Sequence, residues 1–323
     1  MPRLFLTIGK RNLLLPTAMK TGWSTLLVFV LAGGLLAGCG RSEDQSDSNP
    51  EKLRFGLLVA QETEQTYERL DVLTKYFAKQ LGREVEFLQI TTPSAMIEAM
   101  RARKIEVAGG TGAFTYLVAS KVIGAEAIAT TTAADGNVRY YKSCLITSPN
   151  SGLRSIDDVI KNAGNITLSW AYPTSTSGHL VPRYYLQKRG IKPQDFKEVF
   201  TSTDHTATLF SVASGKVDVA AIMYATLDRF MKTGKVKPGA VRVIWESEPI
   251  APGPIFVRKD LDPALKKQIQ LAYTNVAKAD PDAMEALQSQ FTYSMSYIPV
   301  TDSLYQSLRQ MANQIEGLTL KEE

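Results

Sequence analysis

Three hydroxyl side chains and a glycine stand together at Ser175-Thr176-Ser177-Gly178. Ser and Thr each bring an O–H donor beside their backbone N–H, and glycine lets a bound group approach the main chain. Residues 166–170 read as a strand and 180–188 as a helix, so the hydroxyls sit where a strand turns into a helix. The first N–H groups of a helix lack intrahelical acceptors and carry partial positive charge. That combination suits an oxyanion such as a phosphate or phosphonate. An ordinary N-cap uses the same residue types, and both readings stand at this point.

The elements that must position this loop alternate along the chain. Residues 53–59 read as a buried strand; Tyr67, Leu70, Leu73, Thr74 and Phe77 then fall at helical spacing before Gly82. Strands follow at 84–90, 104–108, 125–132 and 140–147, and helices at 93–100 and 113–120. After Asn150-Ser151-Gly152 the alternation restarts, with a helix start at Ser155. Strands fall at 196–201, 217–222 and 241–245, helices at 206–213 and 227–231. Helices at 265–277, 282–287 and 303–315 finish the chain and are expected to pack on the first lobe. Repeated βα units predict an α/β fold of mostly parallel sheets flanked by helices. Links near 133–140 and 246–254 divide it into two lobes, 52–138 plus 250–323 and 139–249. Ligands in such sheets bind beyond the strand C-termini, which is where the Ser/Thr loop falls, in the cleft between lobes.

Residues 1–38 carry Arg3, Lys10, Arg11 and Lys20, no acid, and an apolar run from Thr25 to Leu36. Leu36-Ala37-Gly38-Cys39 follows. A basic start, short apolar middle and small-residue cleavage site are the parts of a secretory signal, and the apolar run is short for a membrane span. The cysteine after the site resembles the bacterial lipobox, which implies lipid on Cys39. The signal is complete from Met19 as well as from Met1. Residues 39–51, polar and almost free of apolar side chains, read as a tether.

The whole chain has 37 Lys and Arg against 32 Asp and Glu. Removing residues 1–38 takes four of the basic residues, leaving 33 against 32, so no basic excess points to nucleic acid. With Cys39 lipidated, Cys144 stands alone in an apolar run and reads as a buried thiol. Zinc-ligand spacing is absent, no metal or cofactor is implied, and Gly109-Gly110-Thr111-Gly112 lacks the dinucleotide spacing.

Ser175-Thr176-Ser177-Gly178, Leu180-Val181-Pro182, Asp204-His205, Gly215-Lys216-Val217-Asp218-Val219-Ala220 and Val243-Ile244-Trp245 occur in one order over residues 53–323. In this the chain resembles the phosphonate/phosphite/phosphate-binding proteins of ABC importers, two-lobe proteins of the type II periplasmic-binding fold. The resemblance implies that Ser175, Thr176 and Ser177 hold the phosphorus oxygens and that His205 contacts the same group, where a bound anion would favour its charged form. His179 reads as solvated or packing. Members that take 2-aminoethylphosphonate have a Trp-Tyr pair after the third strand; here Gly110, Thr111 and the loop amides stand in that place. They also place an acid after the Val-Asp-Val-Ala strand; here Met223 and Tyr224 follow, with Tyr224 lining the cleft. An ammonium buried without a carboxylate is poorly compensated, so the ligand expected is phosphite, methylphosphonate or another short phosphonate, or phosphate. Gln65 and Thr66 in the first loop and Tyr141 at the crossing between lobes complete the candidates.

The reading is a monomeric, lipid-anchored, non-enzymatic binding protein of the cell envelope that delivers a small phosphorus oxyanion to an ABC permease. A sensory or scaffold module on the same fold is the alternative. A hydrolase using Ser177 and His205 is weaker, because no Gly-x-Ser-x-Gly elbow is present.

Overall fold

The computed structural model describes residues 48–59, 63–288 and 296–318. Cys39, the signal, most of the tether, and Gln61 and Glu62 lie outside the described residues. The chain runs β1 (Lys52–Leu58), α1 (Glu64–Leu81), β2 (Glu84–Ile90), α2 (Pro93–Arg101), β3 (Val107–Gly109), α3 (Ala113–Ile123) and β4 (Glu126–Thr132). It continues through β5 (Ser143–Thr147), α4 (Ile156–Asn162), β6 (Thr167–Trp170), α5 (Val181–Lys188), β7 (Glu198–Thr201), α6 (His205–Ala213), β8 (Val219–Met223), α7 (Tyr224–Lys232) and β9 (Arg242–Glu246). It ends with β10 (Ile255–Val257), α8 (Pro263–Ala279), α9 (Pro281–Gln288), β11 (Ser296–Pro299) and α10 (Gln306–Gln314).

Two sheets result, six-stranded β11-β4-β10-β3-β1-β2 and five-stranded β7-β6-β8-β5-β9. Four of six strands in the first and four of five in the second point the same way. The exceptions are β10 and β11 in one sheet and β5 in the other, each antiparallel to its neighbours. β10 and β11 are elements that sequence periodicity misses. At three and four residues beside prolines, they are too short to show a period.

Local chemistry sets the boundaries. Thr63 caps α1 through its side chain, and Gly82, at φ 62°, ends it. Thr92 caps α2 with Pro93 in the first turn. Against the six-stranded sheet, Phe55 stacks on Phe87 with ring centroids 4.8 Å apart, and Phe77 meets Tyr273 of α8 at 4.7 Å. Burying each such ring contributes about 1.5–3 kcal/mol. The chain crosses between sheets after β4 and again after β9, and the crossings pair: Tyr141 N–H donates to Ile250 O at 3.0 Å and Ile250 N–H to Tyr141 O at 2.7 Å.

Helices α8 and α9 pack on the six-stranded half. The last helix, α10, does more: it packs on both α3 and α5. Leu308, Ala312 and Ile315 share one apolar cluster with Phe114 and Leu117 of α3 and with Leu180 and Val181 at the start of α5. The two helices that lead out of the candidate loops therefore rest on a common support. Among the described residues no helix is long and apolar enough to cross a membrane.

Candidate binding site

β6 ends at Trp170, and the chain reverses through Tyr172-Pro173-Thr174-Ser175, closed by Ser175 N–H donating to Tyr172 O at 2.9 Å. Proline in the second position fits such a turn. One π-helical turn, Thr176–Leu180, then leads into α5, with Leu180 N–H reaching Ser175 O at 3.0 Å. Ser175 caps this turn, its Oγ accepting from Gly178 N–H at 2.9 Å. Gly178 is required by packing. A Cβ there would lie 2.4 Å from Ala171 Cβ and 2.8 Å from His205 Cε1. Ser175, Thr176 and Ser177 are all buried. Ser143 Oγ, on β5, donates to Ser177 O at 2.5 Å and ties the loop to the sheet.

His205 opens α6 behind its N-cap Asp204, whose carboxylate accepts the Thr206 and Ala207 N–H groups at 2.6 and 2.9 Å. His205 Nδ1 accepts from Met223 N–H at 3.1 Å, and Nε2 lies 3.4 Å from Ser175 Oγ. A ring that accepts at Nδ1 carries its proton on Nε2, so a neutral N–H faces the loop hydroxyl. Burial pushes the imidazole pKa down to about 4, with Asp204 acting in the opposite sense. Without a bound anion the ring is therefore neutral, since a proton on Nδ1 would confront the Met223 N–H. The Tyr172 ring meets the same imidazole edge-on at 5.9 Å.

The six-stranded half supplies the loop between β3 and α3. Gly112 at the α3 N-cap has no side chain to offer, and Phe114 N–H donates instead to Thr176 Oγ1 at 2.9 Å. Thr115 Oγ1 lies 3.2 Å from both Thr174 O and Thr174 Oγ1. A hydroxyl of one half thus caps a helix of the other. Thr111 is buried, and its Oγ1 has no hydrogen-bond partner among the described residues. Such a hydroxyl costs about 1–3 kcal/mol unless something satisfies it, and a ligand oxygen would.

The remaining candidates are each placed by local contacts or exposure. Gly110 is exposed at φ 77°. Tyr224, the first residue of α7, is exposed beside Met223, and its N–H donates to Lys142 O. Tyr141 belongs to the paired crossing. Thr66 sits in the α1 cap, its Oγ1 2.9 Å from Thr63 Oγ1, and Gln65 beside it is exposed. His179 is buried. Tyr172 and Thr174 belong to the same stretch as the hydroxyl cluster, whereas Thr115 and the Phe114 and Met223 amides are participants that the sequence does not single out. A helix following Gly109-Gly110-Thr111-Gly112 was the available signal for the Phe114 amide.

Asp204 and Asp218 are both occupied, Asp204 beside His205 and Asp218 at the end of β6 away from the loop. Asp204 caps α6 as described, and Asp218 accepts from Thr167 N–H and Oγ1, both at 2.7 Å. Since His205 Nδ1 meets an N–H donor, no carboxylate orients it as a hydrolase triad requires. Among the described residues no group of three or more His, Cys, Asp or Glu is placed to hold a metal. Cys144 is buried, and burial raises its thiol pKa.

Residues 55–305 match the sequence profile of the family described as ABC transporter, phosphonate, periplasmic substrate-binding protein. The chain belongs to this family. It is 29% identical over 239 residues to the phosphonates-binding periplasmic protein of Escherichia coli (strain K12), covering 73% of this chain and 70% of that one. It is 25% identical over 207 residues to the probable ABC transporter phosphite binding protein PhnD1 of Prochlorococcus marinus (strain MIT 9301), covering 61% and 67%. The structure of that PhnD1 in complex with methylphosphonate superposes with a TM-score of 0.69 at 20% identity, covering 82% and 98%. This phosphonate-family protein therefore has the type II periplasmic-binding fold, with the Ser/Thr loop of one half against the α3 N-terminus of the other.

Proposed function

We propose that the chain is a substrate-binding lipoprotein, held to a cell-envelope membrane through Cys39, that captures a small phosphorus oxyanion between its two lobes and delivers it to an ABC permease. Residues 52–138 and 250–323 form one lobe and 139–249 the other. The ligand class is phosphite, methylphosphonate or another short phosphonate, or phosphate. The observation that carries this reading is the meeting of uncharged donors from both halves. Ser175, Thr176 and the Nε2–H of His205 come from one, and Thr111 and the α3 amides from the other. Fixed dipoles of this kind bind an oxyanion without a cationic side chain. Asp204, which neighbours His205, is committed to backbone amides, which disfavours a ligand with an ammonium tail. The methylphosphonate complex of the Prochlorococcus relative supports the same class.

The test is calorimetric titration of the full chain in detergent with phosphite, methylphosphonate, 2-aminoethylphosphonate, phosphate and sulfate. Phosphite or methylphosphonate is expected to bind about tenfold or more tighter than the amine compound. Tightest binding of 2-aminoethylphosphonate would reject the specificity, and no binding of any phosphorus compound would reject the ligand class. Cys39→Ala is expected to move the chain from the membrane fraction to the soluble fraction. Retention at the membrane would reject the lipid anchor.

A further inference from the structure

His179 follows the loop glycine and is buried, yet none of the contacts that draw the site together uses it. Its ring points back six residues along the chain. Nδ1 lies 2.6 Å from Pro173 O, the carbonyl at the second position of the Tyr172–Ser175 turn. That carbonyl takes no part in closing the turn, which uses Tyr172 O. The far side of the ring is also held: Arg183 Nη1 lies 3.3 Å from His179 Nε2, and Arg183 Nη2 donates to Glu316 O at 2.9 Å. The Trp170 ring at the end of β6 meets the imidazole edge-on at 5.6 Å.

These partners fix both the tautomer and the ring plane. A carbonyl can only accept, so Nδ1 must donate; a guanidinium can only donate, so Nε2 must accept. Only the neutral imidazole with its proton on Nδ1 satisfies both. Burial and the nearby guanidinium favour that form, with the pKa pushed down to about 4.

We propose that His179 is a positioning residue for the ligand loop. Its Nδ1–H pins the Tyr172–Ser175 turn so that the Ser175 and Thr176 hydroxyls keep their places, and Arg183 and the segment after α10 hold the imidazole in that orientation. That segment is itself fastened to the outer side of α5. Gln187 Nε2 donates to Gln314 O at 2.7 Å, Glu316 N–H donates to Gln187 Oε1 at 2.9 Å, and Lys192 pairs with Glu316 at 2.6 Å. A continuous line of hydrogen bonds thus runs from the C-terminal segment to the Pro173 carbonyl. The effect on affinity rests on the phosphorus-oxyanion reading; the effect on the loop does not.

The test compares His179→Asn, whose amide places an N–H where Nδ1–H stands, with His179→Leu, which fills the volume without a donor. Amide hydrogen exchange of residues 172–178 in the full chain, without ligand, reads the loop directly. Exchange is expected to quicken about tenfold in His179→Leu and to stay near wild type in His179→Asn. Titration with methylphosphonate should show about tenfold weaker binding for the Leu variant and near-normal binding for the Asn variant. Arg183→Met should quicken loop exchange by a smaller factor. Unchanged loop exchange in His179→Leu, or equal acceleration in both His179 variants, overturns the proposal. Normal exchange behaviour with no methylphosphonate binding in any form, wild type included, leaves the positioning role standing and rejects the ligand class instead.

Discussion

Thr176 Oγ1 accepts the Phe114 N–H at 2.9 Å, joining residues 62 apart in sequence, one in the turn before α5 and the other at the start of α3. The acceptance leaves the hydroxyl proton of Thr176 free to donate elsewhere, toward a bound oxygen. Thr176 is therefore both a helix cap and a ligand donor candidate, and the two readings open in the sequence are compatible.

Thr176→Val keeps the shape and removes both roles. Affinity for the phosphorus ligand should fall by about 1.5–3 kcal/mol, roughly ten- to a hundredfold, while Thr176→Ser stays near wild type. Calorimetric titration decides it, and a Val variant that binds normally would show Thr176 to be a cap alone.

Gly112→Ala tests how closely the halves approach. The added Cβ would lie 2.8 Å from Thr176 Oγ1, inside normal contact. The expected result is weaker ligand binding and a smaller ligand-induced change in radius of gyration by solution scattering, with little change in the ligand-free melting temperature. Unaltered affinity would mean that Thr176 moves aside without consequence.

Thr111→Val should act with opposite signs in the two states. Without ligand, replacing an unpartnered buried hydroxyl stabilises the fold by about 1 kcal/mol. With ligand, the lost donor weakens binding about tenfold. Urea melts with and without methylphosphonate measure both, and destabilisation of the ligand-free form would count against the assignment.

Stability should fall as pH is lowered from about 7 to about 4. His179 and His205 both have folded pKa values near 4, below the ordinary 6.5, so the unfolded chain takes up protons first and stability rises with pH across that window. Buried His179 contributes up to about 3 kcal/mol by this route, and partly exposed His205 less. Burial is the main cause in both. Arg183 beside His179 lowers its pKa further, and Asp204 beside His205 offsets part of the shift. Asp135, Asp158 and Asp260 are shifted below 3.8, so their own titration falls beneath the window. Urea midpoints at pH 7.5 and 4.5 should differ in the wild type, and the difference should shrink in His179→Asn to the part that His205 contributes. Equal wild-type midpoints would exclude the effect.

The strand–loop–helix over residues 166–188 is legible because strand alternation, a hydroxyl cluster and helical spacing follow one another without interruption. Ser175 as a cap is legible for the same reason, since it acts within three residues of itself. What escapes is whatever depends on distant partners. Nothing near Thr176 announces the Phe114 amide, and nothing near His205 announces that the Met223 N–H will occupy Nδ1 and keep the ring neutral. β10 escapes differently: three apolar residues after Pro254 carry too little pattern to mark a central strand.

That strand constrains the order in which the protein can be built. β10 lies between β3 and β4, yet it is separated from them by the entire five-stranded half. The half spanning Ser143 to Glu246 has all its strands in one stretch and can assemble as soon as that stretch is made. The half that begins the chain cannot close its sheet until residues 255–257 and then 296–299 arrive, and β4 waits with both edges unpaired. Pairings of such long sequence separation are slow to form. The segment synthesised first is therefore the one completed last, and it stays open for as long as the rest of the chain is still emerging.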